Sequence, residues 1–368
     1  MKKGLFGILV LIGYCLALFG CLAPPSESIE TKPTLHPIPF IDTHNHLVGR
    51  YQLPPGIQEV DYEGAARVAL TRMNKVGIKR MFIMPPPFTP NHPNRHTYKD
   101  FIRTVNKYPD RLAFLGGGGT LNVMIQQSMR DGSISRGLKD RFEKTAEEIL
   151  SQGAIGFGEV TAEHFSLNIH HPYESAPPDH PLFLLLADIA ARHGVPIDIH
   201  MEAIPEDMLL PKRRRLESPQ NPKTLRANIP AFERLLAHNR KTKMIWAHVG
   251  WCNTGRRTPA LCAELLKRHP NLYMSFKISP DSIPETRPLN EDLMIKPEWL
   301  HLISAYPERF VIGSDHFYVT PRANIRIGPP RKEGEGTERL LALLPPTLAQ
   351  KIGHENVLSI FKLDPGSR

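Results

Sequence analysis

The sequence predicts an α/β protein, a single (β/α)8 TIM barrel with long strand-to-helix loops. Three observations predict it. Short apolar runs rich in β-branched residues recur eight times, and helical patterns follow most of them. That alternation returns the chain to the same end of the sheet each time, so the strands are parallel, and eight is the number that closes a barrel. The body from Pro37 onward spans about 330 residues, room for one barrel with insertions. The rival architecture, an open doubly wound sheet, would carry a G-x-G-x-x-G fingerprint, which is missing. No short-period repeat argues for a solenoid.

The first strand is read at 39–44 and is followed by a helix over 62–76, with Ala66, Ala69, Leu70 and Met73 on one stripe. Strand two covers 79–84, a helix 97–107 and strand three 111–115. Gly116–Gly119 then form either a tight turn or room for a substrate or metal near the backbone. Helix 138–151 leads to strand four at 154–160, helix 182–193 to strand five at 196–200, and helix 224–239 to strand six at 243–248. Helix 259–268 leads to strand seven at 271–276, helix 297–305 to strand eight at 310–314, and a last helix covers 336–352. Proline-containing loops near 85–96, 161–181, 201–223, 277–296 and 316–335 would roof the barrel mouth and set specificity.

Composition bounds the class. The chain has 368 residues, 41% hydrophobic and 23% charged, which excludes a disordered or fibrous protein. Four cysteines are too few for a disulfide framework. Cys252 and Cys262 are either bonded to each other or separate thiols. Prolines number 36, about twice the usual ~5%, which points to many loops of fixed shape.

Residues 1–20, MKKGLFGILVLIGYCLALFG, have the charged start and apolar core of an export signal. Leu18-Phe19-Gly20-Cys21 resembles the lipobox of bacterial lipoproteins, which implies a lipidated Cys21, a membrane-anchored protein and a bacterial cell-envelope location. The alternatives are an uncleaved anchor over 4–23 or ordinary cleavage. The domain reading is a signal peptide at 1–20, Cys21 with a proline-rich tether at 21–37, and the barrel at 38–368. Removing Lys2 and Lys3 takes the net charge from +9 to +7. Lys212, Arg213, Arg214 and Arg215 form the one basic cluster, read as a solvated loop, with attraction of an anionic substrate or lipid headgroup as the alternative. No aromatics interleave with it, so no nucleic-acid partner is expected.

In a barrel the C-terminal strand ends carry the chemistry. Strand one ends in His44-Asn45-His46, strand four in Glu159, strand five in His200 and strand six in His248, and Asp315 follows strand eight. Each signal alone has an ordinary explanation in packing, a salt bridge or a helix cap. Residues i and i+2 on a strand share a face, so His44 and His46 can grip one ion together. Six ligand-type side chains at the ends of five strands point to a metal site. Lys277, just after strand seven, is a candidate for holding a substrate carboxylate or carbonyl, with a surface lysine as the alternative. Glu202 is a second candidate for substrate binding, with a locally bonded loop residue as the alternative.

The run Phe40-Ile41-Asp42-Thr43-His44-Asn45-His46 resembles the opening motif of the amidohydrolase superfamily. Pro196–His200, Trp246–Gly250 and Ile312–Asp315 resemble its strand five, six and eight motifs, and 355–361 is similar to the closing segment of the amidohydrolase-2 branch. The resemblance implies a metal-dependent hydrolase. In a one-metal version His44, His46, His200 and Asp315 would be ligands, and His248 would polarise the substrate or the water. In a two-metal version Glu159 would bridge, and His200 and His248 would hold the second ion. Imidazole and carboxylate donors suit zinc, with manganese, iron or nickel as alternatives. Asp315 is the expected proton acceptor for the water.

The expected activity is hydrolysis of a small-molecule ester, lactone or amide. The rivals are a metal-dependent decarboxylase of an aromatic or unsaturated acid, which a bridging Glu159 would speak against, a TatD-like nuclease, and a non-catalytic binding lipoprotein. The absence of G-x-S-x-G and of a P-loop disfavours an α/β-hydrolase and a P-loop enzyme.

Overall fold

The computed structural model describes residues 38–53, 56–168, 171–279, 282–323, 325, 327 and 336–364. The expected export signal, Cys21 and the expected tether lie outside the described residues. Among the described residues no helix is long and apolar enough to cross a membrane.

Among the described residues the main sheet has eleven paired segments, eight of which are the barrel strands: β1 Phe40–Val48, β2 Ile78–Ile83, β3 Leu112–Phe114, β4 Phe157–His164, β5 Pro196–Met201, β6 Lys243–Val249, β7 Leu272–Phe276 and β8 Phe310–Ile312. They pair in parallel in the order β3-β2-β1-β8-β7-β6-β5-β4. Gly116–Gly117, which continue β3 past Leu115, pair in parallel with β4. One stretch of chain therefore bonds on both sides: Leu115 N–H donates to Ile83 O at 3.0 Å, and Ile155 N–H donates to Phe114 O at 3.0 Å. This closes the barrel.

Helices α1 Tyr62–Val76, α2 Tyr98–Val105, α3 Leu121–Asp131, α4 Arg136–Ser151, α5 Pro181–His193, α6 Lys212–Glu217, α7 Ile229–His238, α8 Pro259–Arg268 and α9 Pro297–Ala305 lie in the strand-to-strand connections. The end signals in the chain explain their bounds. Asp61 caps α1 through Gly64 N–H, Gly77 ends it in the left-handed region, and Thr97 with Asp100 makes a capping box on α2. Proline opens α5, α8 and α9, where its missing N–H costs nothing. After β8 come α10 Thr337–Leu343, α11 Pro346–Gln350 and α12 Asn356–Phe361.

The apolar residues divide into two layers. The larger covers the outer faces of the strands and the inner faces of the helices. The smaller gathers Ile41, Phe82, Leu115, Ile245 and Val311, one from each of five strand segments, with Val357, Ile360 and Phe361 of α12. Lys243, first residue of β6, donates to the carbonyls of Ser359 and Ile360, so α12 plugs the N-terminal end of the barrel. The opposite end is left to polar side chains.

Several boundaries move. Strand four runs to His164, so Glu159 stands inside it rather than at its end. The helix expected over 224–239 starts at Ile229, because Thr224–Leu225 pair with Met208–Leu209 instead. The helix expected over 336–352 breaks at Leu344 before two prolines. The hairpin Arg50–Leu53 with Ile57–Val60, and helix α3, are additional elements. The basic run is helical, and Arg214 is buried in it, donating to Glu217 and Asn253. The glycine run leaves no space for a ligand at Gly118, where an added Cβ would lie 2.3 Å from the carbonyl oxygens of Pro85 and Pro86. Glycine is needed there so that one strand can pass beneath the next loop.

Candidate metal centre

Strand β1 is in irregular register with β2 between Asp42 and Asn45. A break of this kind re-aims side chains. Ile41 lies in the apolar layer inside the barrel, and His44 and His46 lie in the polar layer above it. Asp42, between them, accepts Ser314 N–H at 2.9 Å and joins β1 to the segment carrying Asp315. His248 and Asp315 both take positive φ values, 69° and 54°. Side chains larger than glycine rarely adopt that conformation, and functional sites concentrate such strain.

Six side chains converge here from β1, β4, β5, β6 and the turn after β8. Glu159 is at the centre. Its Oε2 lies 3.4 Å from His44 Nε2 and 3.5 Å from His46 Nε2. Its Oε1 lies 2.8 Å from His200 Nδ1 and 3.3 Å from His248 Nε2. Asp315 Oδ1 lies 3.1 Å from His46 Nε2 and 3.9 Å from His44 Nε2. The rings of His44 and His46 meet edge-on at 5.1 Å, and those of His200 and His248 at 4.7 Å.

The supporting contacts were not assigned a role in the sequence reading. Asp198 Oδ1 lies 3.1 Å from His44 Nδ1, an ion contact out of line for a hydrogen bond. His46 Nδ1 is 2.8 Å from Met84 O, a contact that requires the proton on Nδ1 and leaves Nε2 toward the carboxylates. His164, at the end of β4, stacks edge-on to His200 at 4.5 Å, and Phe317 covers His46 at 4.4 Å. Asp198 was findable, two residues before His200 on one strand and so on one face. His164 was hidden by the shorter boundary given to strand four.

Burial and charge compete throughout the site. Burial opposes ionisation of Glu159, yet His44 and the bonds from His200 and His248 hold its carboxyl well below the usual range. Asp315 is likewise held well below its usual value, with burial outweighed by Lys277, His248 and His46. Burial would strip the proton from His44, but Asp198 and Glu159 keep its pKa well above that of a free imidazole. Burial keeps His248 neutral.

The donor set fits a divalent cation. His44, Glu159 and His248 each offer one ligand atom within 4.8 Å of the others, and so do His44, His46 and Asp315. His44 Nε2 is fully buried and has no hydrogen-bond partner, although two carboxylates lie within 4 Å. A buried imidazole nitrogen left without a hydrogen-bond partner among carboxylates, once it gives up its proton, matches what a transition ion requires.

The two expected substrate contacts fare differently. Lys277 is not a surface lysine. It is 8% exposed, its Nζ donates to Asp315 Oδ2 at 2.5 Å, and it sits 3.8 Å over the Trp251 ring. Glu202 is 1% exposed and accepts Asn253 N–H at 2.9 Å together with the Asn253 amide, a partner 51 residues away in the chain rather than a local one. Cys252 and Cys262 are both buried free thiols.

Comparison with known proteins gives the following. The family model described as Amidohydrolase matches residues 130–363. No curated protein matches the chain. Among solved structures, the chain is similar to the "Putative 2-Pyrone-4,6-Dicarboxylic Acid Hydrolase" of Pseudomonas putida, with TM-score 0.52 and 15% identity over 90% of this chain and 99% of that one. It is also similar to dihydroorotase from Saccharomyces cerevisiae, with TM-score 0.47 and 10% identity over 89% of this chain and 85% of that one. A third is 2,6-dihydroxybenzoate decarboxylase from Rhizobium, with TM-score 0.42 and 14% identity over 88% of this chain and 100% of that one. At 15% identity the likeness to the Pseudomonas putida structure speaks for the fold alone.

Proposed function

This chain belongs to the Amidohydrolase family, a superfamily of enzymes, and from that premise we propose that it hydrolyses a small-molecule ester, lactone or amide with a divalent-metal-activated water. The observation that carries the reading is the split of Glu159. One oxygen faces His44 and His46 and the other faces His200 and His248. That is the placement of a carboxylate shared by two ions, and it favours hydrolysis over decarboxylation.

In this reading His44, His46 and Asp315 would hold one ion, His200 and His248 would hold the other, and Glu159 would serve both. Zinc is the first choice for this donor set. A bound cation supplies a water whose pKa falls toward about 7 and a Lewis acid for the scissile carbonyl. The protein's own groups do the rest. Asp315 accepts the water's proton and delivers it to the leaving oxygen or nitrogen. Lys277, anchored on Asp315 Oδ2 and the Trp251 face, keeps that carboxyl ionised and orients it. Asp198 and Met84 O fix the far nitrogens of His44 and His46. The apolar layer closed by α12 blocks water from below.

We further propose an envelope location through a lipidated Cys21, which rests on residues 1–21 alone. Mass spectrometry of the purified mature chain tests it: a diacylated N-terminal cysteine is expected, and an unmodified Met1 would contradict it. The activity is tested by metal analysis of wild type and His44→Ala, followed by a screen of esters, lactones, amides and phosphoesters with metal restored. Bound metal that is lost in the folded variant, with turnover of a carbonyl substrate by wild type, is expected. Equal metal content in both would remove the basis of the mechanism.

A further inference from the structure

The ladder between β5 and β6 stops early. Its last paired residues are Trp246 and Ile199. His200 and His248 both stand beyond that point, where strand-to-strand hydrogen bonds no longer hold the two chains at a set separation. The carbonyls next to them, Met201 O and Ala247 O, are bridged instead by one side chain. Arg257 Nη1 donates to Ala247 O at 2.5 Å, and Nη2 donates to Met201 O. Its guanidinium lies 4.3 Å over the Trp246 ring, and the Trp246 indole N–H also donates to Met201 O, at 2.8 Å.

Arg257 is 2% exposed, and its Nε has no hydrogen-bond partner. Among the described residues it forms no ion pair, so a full charge is buried against carbonyl dipoles and a ring. Burial without a carboxylate is expensive. A planar fork that spans two carbonyls is also something lysine cannot reproduce. The residue lies in the loop after β6, just before the Thr258 cap of α8. The chain thus folds back to bind its own strand and the neighbouring one at the place where their ladder ends.

We propose that Arg257 is a positioning residue for the metal centre, replacing the missing β5–β6 ladder bonds and so setting the separation of His200 and His248. The inference rests on the metal-site reading given above and deepens it. A loss of the fork frees the two strand ends to part, which weakens the grip of both imidazoles on the same ion without removing either ligand.

The test uses the full-length protein, with zinc affinity read by competition against a chromophoric chelator and the d–d spectrum recorded with cobalt. Arg257→Met keeps the buried stem and removes the fork. Zinc binding at least ~10-fold weaker than wild type and an altered cobalt spectrum are expected, the size seen when groups behind a metal ligand are lost. Arg257→Lys should fall between the two. Leu186→Ala, a fully buried change in α5, lowers the melting temperature through packing alone and should bind zinc within twofold of wild type. A folded Arg257→Met that binds zinc within twofold of wild type and keeps its cobalt spectrum would overturn the inference. If that variant does not fold, Arg257→Lys decides: zinc binding more than twofold weaker than wild type with an altered cobalt spectrum supports the inference, and anything less overturns it. Failure of the wild type itself to bind zinc or cobalt would instead sink the metal-site reading, and this inference with it.

Discussion

Glu159→Gln keeps the shape of the central side chain and removes its charge. Two oxygens that now face four imidazoles become one acceptor and one N–H2 donor, so one pair of imidazoles meets a donor where it met an acceptor. Glu159 is 3% exposed, and breaking a buried charged contact from one side costs about 3–5 kcal/mol. Asp198 still faces His44 in the variant, so the lower end, about 3 kcal/mol, is expected for the chelator-treated protein at pH 7. The carboxyl is depressed in the fold, against its burial, chiefly by His44. A depressed acid contributes stability above its unfolded-state pKa and loses it as pH falls through the folded one. The deficit of the variant should therefore be full at pH 7 and shrink on acidification. Urea unfolding at pH 7 and again below pH 4.5, the ordinary value of a free glutamate, reads this. Metal analysis reads the second consequence, a fall from two ions per chain to one. Hydrolysis should drop by about 10³-fold, which is ~4 kcal/mol of barrier. Unchanged metal content together with unchanged unfolding midpoints would refute the shared-carboxylate argument.

Four further outcomes follow from other parts of the molecule. Lys277→Met removes the chief charge that holds Asp315 ionised, so the acidic limb of the rate profile should move to higher pH, and a limb that stays in place would separate Lys277 from the proton transfer. Glu174 is buried beside Asn122 with its pKa pushed up to about 8, so it favours the fold at low pH and that contribution is lost as pH rises from about 4.5 toward 8; Glu174→Gln should flatten this slope, worth about 1.4 kcal/mol per unit, in unfolding curves. Gly118→Ala would press a methyl onto the Pro85 and Pro86 carbonyls, and thermal melting should show a loss of about 3 kcal/mol. Proton and metal compete for His44, so zinc affinity should weaken steadily as pH falls below neutrality, and a flat titration would place the ion elsewhere.

The barrel was legible because local periodicity and parallel topology act together, and strand–helix alternation leaves few ways to close eight strands. His44 and His46 were legible for a similar reason: their spacing alone puts both on one face. Lys277 was not, since a single lysine after a strand carries no sign of the Trp251 ring and Asp315 carboxylate that bury it. Arg214 looked like a member of a solvated run because its partner Asn253 is 39 residues away. The helix over 224–239 was drawn too long because apolar spacing continues across residues that pair with Met208–Leu209 instead. In each case the deciding contact joins segments distant in the chain, which no local pattern encodes.

The proposed chemistry depends on one arrangement, the gathering of His44, His46, Glu159, His200, His248 and Asp315 around divalent cations. Anomalous diffraction at the zinc edge, from crystals of the zinc-loaded protein, tests it directly. Two peaks flanking Glu159, one toward His46 and Asp315 and one toward His200 and His248, are predicted. Anomalous density only at other sites, with these six side chains uncoordinated, would contradict it.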